Sequence, residues 1–204
     1  DADAVVTPVS SNSALEKSNW FDRIVRTRIG SPYVIEGMQQ ALADGAMRVV
    51  GYEANGGFLT MTAIEDEGHL LPALPTRDAA LVALALILLA RRSGVPVSQL
   101  ASLLPARFTA SGRLKDFPSD ISAGHIAELS ADAAAIQRQF PGCGRVADVD
   151  RTDGLRITFD NQDIVHLRPS GNAPELRCYT EADNALHASQ LNEDCLGILE
   201  SWRE

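Results

Sequence analysis

The first hundred residues alternate short runs of β-branched residues with helical segments. Helix starts are indicated by Ser13 with Glu16, at the spacing of a capping box, and by Ser31 placed before Pro32. This alternation is typical of strands joined by crossover helices, so it predicts an α/β domain with a mixed, largely parallel sheet. The strand candidates are residues 4–7, 24–27, 47–50 and 58–61.

The longest apolar run, residues 79–90, predicts a helix that is hydrophobic nearly all round. Asp78 precedes the run, Arg91 and Arg92 complement the helix end, and Gly94 stops it. A helix of this composition is expected to be buried. The run is shorter than the ~20 residues that cross a bilayer, and no signal segment opens the chain. Neither a membrane partner nor secretion is therefore expected.

The pattern changes between residues 104 and 118, where prolines, Gly112 and several charged residues interrupt it. We expect a domain boundary near residue 106. The predicted domains are residues 1–105 and residues 106–204.

Beyond this boundary the chain has the pattern of a smaller α+β domain. Apolar residues recur at spacings of three and four over residues 126–140 and 188–202, which predicts two amphipathic helices. Residues 145–180 hold about three strands, punctuated by the hairpin signals Asp-Gly at 153–154 and Asp-Asn at 160–161. We expect an antiparallel sheet packed on helices.

Composition narrows the class of protein. The chain is 45% hydrophobic and 22% charged, as is ordinary for soluble globular proteins, and its net charge of -9 argues against nucleic-acid binding. Cys143, Cys178 and Cys195 fit neither a disulfide framework nor a zinc site, so a reducing cytoplasm is the expected compartment. The four histidines show no mutual metal spacing either, and no metal ligand is expected.

The segment at residues 168–177, R-P-S-G-N-A-P-E-L-R, is the strongest candidate for chemistry. It lies between two predicted strands and carries an arginine at each end. A guanidinium donates two parallel hydrogen bonds and stays charged, so two of them suit a phosphate. The alternative interpretation is that these arginines are ordinary surface charges beside a proline-containing turn. The candidate phosphate ligands are Arg168, Ser170, Gly171, Asn172 and Arg177.

A second candidate is the glycine-rich loop G-Y-E-A-N-G-G at residues 51–57. Its glycines let the backbone approach a ligand, and Glu53, Asn55 and Gly56 offer groups that suit sugar hydroxyls. The alternative is a glycine-rich hairpin whose Glu53 is merely solvated.

A third candidate is the segment leading from a predicted strand into the helix after residue 31. The N-terminal amides of a helix favour an anion. Arg28, Gly30 and Ser31 would line such an anion site. The alternative is a helix cap flanked by solvated arginines.

The segment at residues 168–177 resembles the phosphate-binding loop R-P-S-G-T-E-P-x-x-R of the α-D-phosphohexomutases, the phosphomannomutase and phosphoglucomutase family. The loop around Glu53 is similar to that family's sugar-binding loop G-E-x-S-G-H. Residues 5–15 and 25–34 resemble strand–helix segments of its third domain. The resemblance implies that residues 1–105 correspond to most of domain 3, with the sugar-binding loop, and residues 106–204 to domain 4, with the phosphate-binding loop.

The resemblance implies an isomerase of carbohydrate metabolism that interconverts hexose 6-phosphate and hexose 1-phosphate. In this family a phosphoserine in the first domain donates phosphate to give a hexose bisphosphate, and a D-x-D-x-D loop in the second domain binds Mg²⁺. Neither motif occurs in this sequence. The resemblance therefore implies a chain that lacks the catalytic residues and the metal ligands, needs the missing N-terminal domains as partners, and is inactive by itself.

Several positions depart from the family pattern. Asn172 and Ala173 replace Thr-Glu, Glu175 adds a negative charge near the phosphate, and Asn55 and Gly57 stand where Ser and His are usual. These departures leave the preferred hexose open, with mannose weakly favoured. The alternative function is a non-catalytic module that binds sugar phosphates or docks onto a partner. We also expect some self-association through exposed apolar surface.

Overall fold

The computed structural model describes residues 2–171 and 173–203, with the backbone but not the side chain of Ala79. The chain forms two compact units, residues 1–106 and 107–204. The first contains β1 (Ala4–Pro8), α1 (Ala14–Ser18), β2 (Arg23–Thr27), α2 (Ser31–Ala43), β3 (Val49–Tyr52), β4 (Phe58–Thr60), β5 (Ile64–Asp66), β6 (His69–Leu71), α3 (Ala79–Ser93) and a 3-10 helix (Val97–Leu103).

The first unit is built on a four-stranded sheet with the order β2-β1-β3-β4. Strand β1 is parallel to both of its neighbours, and β4 returns antiparallel to β3. Helix α2 packs Val34, Met38 and Ala41 against Val6 and Leu59 of the sheet. The predicted mixed, largely parallel sheet with helices is confirmed, although the third strand begins two residues later than residue 47.

Two helix starts in this unit differ from the prediction. Ser31 is the first residue of α2 rather than its cap, because Gly30 occupies the N-cap position with φ +134°. The Ser13 side chain makes no capping bond, and the amide of Ala14 donates instead to Asn12 Oδ1 at 2.7 Å. Glu16 reaches across to Arg26 rather than back to the helix start.

Helix α3 has the predicted ends but not the predicted burial. The Asp78 carboxylate accepts a hydrogen bond from the Leu81 amide at 2.9 Å, and Gly94 ends the helix with φ +67°. Ala90 is its one buried residue among those whose side chains are described, whereas Leu84 is 60% exposed and Leu88 is 51% exposed. The expectation of a buried helix is therefore wrong for this stretch of chain. An apolar composition shows that a helix avoids water, but it does not show which residues pack against it.

The second unit contains β7 (Phe108–Lys115), α4 (Ser119–Ala131), α5 (Ala133–Gln139), β8 (Val146–Asp150), β9 (Leu155–Phe159), β10 (Ile164–Pro169), β11 (Glu175–Ala182), α6 (Ala185–Glu200) and a final 3-10 turn (Ser201–Arg203). Its five-stranded sheet has the order β7-β11-β10-β9-β8, antiparallel throughout. The predicted antiparallel sheet with helices is confirmed, and both predicted hairpins form.

Two details of the second unit differ from the prediction. The first amphipathic helix is two helices, α4 and α5, because Asp132 takes an extended conformation and caps α5 by accepting from the Ala134 amide at 2.8 Å. The polar segment at residues 108–115, which was not among the predicted strands, is strand β7. Helix α6 packs its Leu191, Cys195 and Leu199 face into the core beneath this sheet.

Among the described residues, no single helix is long and apolar enough to cross a membrane, and α3 meets that criterion only together with the bent 3-10 helix that follows it.

Candidate functional site

The segment at residues 168–177, called the arginine loop below, runs from the end of β10 to the start of β11. Arg168 and Arg177 are directly opposite each other in the antiparallel register, so both side chains lie on the same face of the sheet. The Ser170 amide donates to the Glu175 carbonyl at 2.8 Å, and the Glu175 amide donates to the Ala173 carbonyl at 2.7 Å. Ser170 is buried and Gly171 is exposed. The remaining predicted ligand, Asn172, lies outside the described residues.

A third arginine extends this pair into a row. Arg113 on β7 is opposite Arg177 on β11, so the row crosses three neighbouring strands. Like charges directly opposite each other destabilise a sheet unless they are compensated. Glu175 supplies part of the compensation, with its carboxylate 3.3 Å from Arg113 and 3.6 Å from Arg177. The negative charge of Glu175 is therefore taken up by the arginines themselves.

Arg168 has a separate carboxylate partner. Its Nε lies 3.0 Å from Asp153 Oδ1, and the two side chains are only 18% and 11% exposed. The contact is an ion pair, since the Nε–H does not point along the line to the oxygen closely enough for a hydrogen bond. Asp153 belongs to the Asp-Gly turn between β8 and β9, far from Arg168 in sequence.

His166 lies behind this ion pair on β10. Its Nε2 is 2.6 Å from the backbone carbonyl of Asp153. Burial lowers the pKa of His166, and the nearby Arg156 and Arg168 lower it further. The ring is therefore neutral at neutral pH, and because Nε2 faces a carbonyl it carries the proton and donates. His166 holds the turn that contains Asp153.

The glycine-rich loop is a tight turn between β3 and β4. The Glu53 amide donates to the Gly57 carbonyl at 2.8 Å, and the Gly56 amide donates to the Glu53 carbonyl at 3.0 Å, with Gly56 at φ +89°. Asn55 Oδ1 accepts from the Gly57 amide at 3.0 Å. The side-chain carbonyl of Asn55 thus stabilises its own loop, and its amide group is the part that can donate to a ligand.

Glu53 is buried within this loop although it is charged. Its side chain is 6% exposed, and no described residue forms a hydrogen bond with Oε2. Arg77 is the nearest cation, with its guanidinium 3.7 Å from Oε2. Buried acceptors are usually satisfied, so an acceptor left open here suits a ligand that donates. Hydroxyl groups have that chemistry.

Arg77 also occupies the space in front of Gly57. A Cβ at position 57 would lie 2.7 Å from Arg77 Cδ and 3.2 Å from Asn55 Oδ1. Together with Thr76 these residues line an open depression of about 570 Å³. A histidine at position 57, as in the family motif, would require Arg77 to move.

The third candidate does not gather comparable groups. Gly30 and Ser31 lie at the start of α2, and the Arg28 guanidinium stacks 4.7 Å from the centre of the Tyr33 ring. Arg26 is a structural residue, bound to Glu16 and to the carbonyls of Pro8 and Ser11. The geometry gives Arg28 a stacking role.

The three cysteines lie together in the core of the second unit, which their spacing did not reveal. All three are buried and none forms a disulfide. The pKa of the Cys143 thiol is raised mainly by a hydrogen bond with Cys195 and, next, by burial. The thiol therefore stays protonated, and a protonated thiol is a poor metal ligand. No cluster of His, Cys, Asp and Glu in the described part of the chain has the geometry to hold a metal ion.

The sequence did not identify Arg77, Arg113 and Asp153. Arg113 reaches the arginine loop through strand register, Asp153 through the turn between β8 and β9, and Arg77 reaches the glycine-rich loop from the segment before α3. The Asp-Gly pair at residues 153–154 predicts a turn but not an ion pair.

Residues 1–108 match the family model for phosphoglucomutase/phosphomannomutase, alpha/beta/alpha domain III, and residues 122–197 match that for the phosphoglucomutase/phosphomannomutase C-terminal domain. The chain belongs to the phosphoglucomutase/phosphomannomutase family, and the resemblance seen in the sequence is confirmed.

Two curated relatives are phosphomannomutases. That of Sinorhizobium fredii (strain NBRC 101917 / NGR234) is 43% identical over 201 residues, covering 98% of this chain and 42% of the relative. That of Salmonella muenchen is 44% identical over 202 residues, covering 98% of this chain and 41% of the relative. The chain therefore spans about two fifths of the length of these relatives.

Solved structures agree on the fold. A phosphoglucomutase/phosphomannomutase family protein from Burkholderia thailandensis has a TM-score of 0.66 at 16% identity, covering 99% of this chain and 38% of that one. The N-acetylphosphoglucosamine mutase of Aspergillus fumigatus, in complex with GlcNAc-6P and magnesium, has a TM-score of 0.63 at 14% identity, and the match covers 97% of this chain and 42% of that one. A serine-to-alanine variant of this mutase, in complex with glucose 1,6-bisphosphate, also has a TM-score of 0.63 at 14% identity, and the match covers 96% of this chain and 38% of that one.

Proposed function

We propose that this chain is the sugar-binding and phosphate-binding C-terminal part of a phosphohexomutase that interconverts mannose 6-phosphate and mannose 1-phosphate. The observation that carries the proposal is the row of Arg113, Arg177 and Arg168 across one face of the sheet. The preference for mannose is supported by the two phosphomannomutases that are more than 40% identical to the chain.

The proposed role of the arginine loop is to hold the phosphate that is not being transferred. Three guanidinium groups and two carboxylates, Asp153 and Glu175, leave a surplus of positive charge at the turn. A phosphate dianion accepts bidentate hydrogen bonds from such groups. Gly171 is exposed, with no atom within 4 Å of a built Cβ, so the backbone there is open to approach.

The proposed role of the loop at residues 53–57 is to bind sugar hydroxyls. The open acceptor on Glu53 and the amide group of Asn55 supply one acceptor and one donor set. Arg77 contributes a cation beside Glu53. We propose Glu53, Asn55 and Gly56 as sugar contacts, and Arg28, Gly30 and Ser31 as further contacts of the ligand.

We propose that the groups for the chemical step lie outside this chain. Transfer through a phosphoserine and a hexose bisphosphate would be performed by upstream domains. Mg²⁺, present with GlcNAc-6P in the Aspergillus structure, would be bound by those domains, because the described residues contain no suitable cluster. Holding a bisphosphate, the ligand of the serine-to-alanine variant, is within the chemistry of the arginine loop. The chain alone should bind hexose phosphates without converting them.

The test is calorimetric titration of the chain with mannose 1-phosphate and glucose 1-phosphate. We expect weak binding, tighter for mannose 1-phosphate, that is lost in Arg168→Ala and in Arg177→Ala. Arg145→Ala is the matched control, because Arg145 is 88% exposed and pairs only with Asp160 among the contacts described. Incubation with either sugar phosphate, followed by phosphorus NMR, should show no conversion.

Three results would contradict the proposal. Binding that survives both arginine substitutions would place the phosphate elsewhere. Conversion by the chain alone would show that catalytic groups are present. Equal binding of unphosphorylated mannose would favour a lectin-like module over a mutase fragment.

A further inference from the structure

Asp153 is fixed in place from two sides. Its backbone carbonyl accepts a hydrogen bond from His166 Nε2 at 2.6 Å. The next residue, Gly154, has φ +81°, and a Cβ there would collide with the Leu167 carbonyl oxygen and lie 3.1 Å from Arg168 Cα. The turn therefore presses directly against the end of β10, and only glycine permits that approach.

The carboxylate of Asp153 faces one edge of the Arg168 guanidinium. It lies 3.0 Å from Nε, and both side chains are largely buried. A guanidinium has five N–H groups in a rigid fork. Contact at Nε leaves the terminal amino groups for another acceptor.

We propose that Asp153 is a positioning residue, which orients the Arg168 guanidinium so that its terminal amino groups are directed at the phosphate. The inference rests on the proposed function, because it assigns a cause to the geometry of the same loop. Asp153 itself does not contact the phosphate.

Two opposite effects of Asp153 on anion affinity must be weighed. A carboxylate near an anion repels it, so removing the charge would strengthen binding. Orienting an arginine in advance avoids the loss of side-chain freedom on binding, so removing the carboxylate would weaken it. Arg168 and Asp153 form a largely buried ion pair. Their opposite charges largely cancel beyond the pair, so the carboxylate repels the anion only weakly. The orienting effect therefore dominates, and we expect Asp153→Ala to weaken binding about tenfold.

The experiment measures binding of inorganic phosphate and mannose 1-phosphate to four proteins: wild type, Asp153→Ala, Arg168→Lys and the double variant. Lysine keeps a positive charge at position 168 but has no Nε edge for Asp153 to hold, so measurable binding remains. If Asp153 acts through Arg168, the double variant binds no more weakly than Arg168→Lys. A further loss in the double variant would overturn the inference, and so would stronger binding by Asp153→Ala. Asp153→Asn, which keeps an oxygen in place, should fall between wild type and Asp153→Ala. Asp148→Asn, at an exposed position on β8, is the control.

A measurement without ligand separates this inference from the proposed function. The Nε signal of Arg168 in a nitrogen-edited NMR spectrum should differ from that of free arginine in the wild type, because a carboxylate lies 3.0 Å from Nε in a largely buried site, and it should move towards free arginine in Asp153→Ala. An unchanged signal overturns the positioning role even if phosphate binds. A changed signal with no phosphate binding in the wild type keeps the positioning role and overturns the proposed function. Unfolding curves identify any variant that fails to fold, and Asp153→Asn then carries the test.

Discussion

At the scale of single residues, the Arg77 side chain occupies the space that a side chain at position 57 would need. A methyl group at position 57 would meet Arg77 Cδ at 2.7 Å, closer than carbon atoms approach in proteins. We expect Gly57→Ala to displace Arg77 from Glu53 and to reduce the free energy of unfolding by about 1 kcal/mol. Urea unfolding of the variant would measure this.

The control is the same substitution in an Arg77→Ala background. With the arginine stem removed, alanine at position 57 should cost little. An equal loss of stability in both backgrounds would mean that the strain arises from the backbone of the loop and not from Arg77.

His166 gives a residue-scale prediction about pH. Burial lowers its pKa in the folded protein, whereas in the unfolded chain the pKa is about 6.5. The unfolded state therefore binds more protons as pH falls, so stability is highest above about pH 6.5 and decreases as pH falls through the lowered pKa. Asp153 opposes this shift, while Arg156 and Arg168 reinforce it.

The measurement is urea unfolding between about pH 5 and 8, followed by the fluorescence of Trp202, which is buried in the second unit. Trp20 is replaced by phenylalanine in all proteins, so that one tryptophan reports. His166→Gln should flatten the dependence in the lower half of this range, and His69→Gln, at an exposed position of the first unit, should not. A slope that is the same in both variants would assign the effect to carboxylates.

At the scale of elements, capping distinguishes helices that look alike in the sequence. Asp78 caps α3 through a hydrogen bond from the Leu81 amide at 2.9 Å, whereas the N-cap of α2 is Gly30, with no side-chain capping bond, and Ser31 lies inside the helix. We expect Asp78→Ala to cost about 1 kcal/mol and Ser31→Ala only a few tenths. Thermal unfolding followed by circular dichroism compares the two, and an equal loss would contradict the assignment of the caps.

The elements that could be predicted from sequence are those whose local pattern of apolar and polar residues determines their structure. Strands β1 and β2 are β-branched runs, and α6 carries an apolar stripe, so local pattern and final burial agree. Strand β7 was missed because its residues are polar and it forms through its eight-residue register with β11. Gly112 within it looked like a breaker, but a side chain there would meet Leu196 and Asn192 of α6.

The candidate site could be predicted in part for the same reason. The arginine loop and the glycine-rich loop can each be recognised within ten residues of sequence, from arginine, glycine and proline at characteristic spacing. The residues that complete them, Arg113, Asp153 and Arg77, arrive from other elements. Their roles depend on strand register and on the approach of a turn, which no local pattern encodes.

At the scale of the whole molecule, the distribution of apolar surface is uneven. Each unit has its own buried core, yet α3 leaves a row of leucines and isoleucine in contact with solvent. Leu84, Ile87 and Leu88 are each more than half exposed, and residues at these spacings lie on one side of a helix. Contiguous apolar surface of this kind usually marks a contact with another protein.

We therefore expect the isolated chain to self-associate through α3, because burying these side chains against a second copy removes them from water. Sedimentation velocity over a range of concentrations should show an average mass that rises with concentration. Leu84→Lys combined with Leu88→Lys should return the chain to a monomer. Leu186→Lys is the matched control: Leu186 is 81% exposed but lies on α6 in the other unit, so its substitution should leave the association unchanged. A monomer at every concentration, or equal loss of association in the control, would show that α3 is not the contact surface.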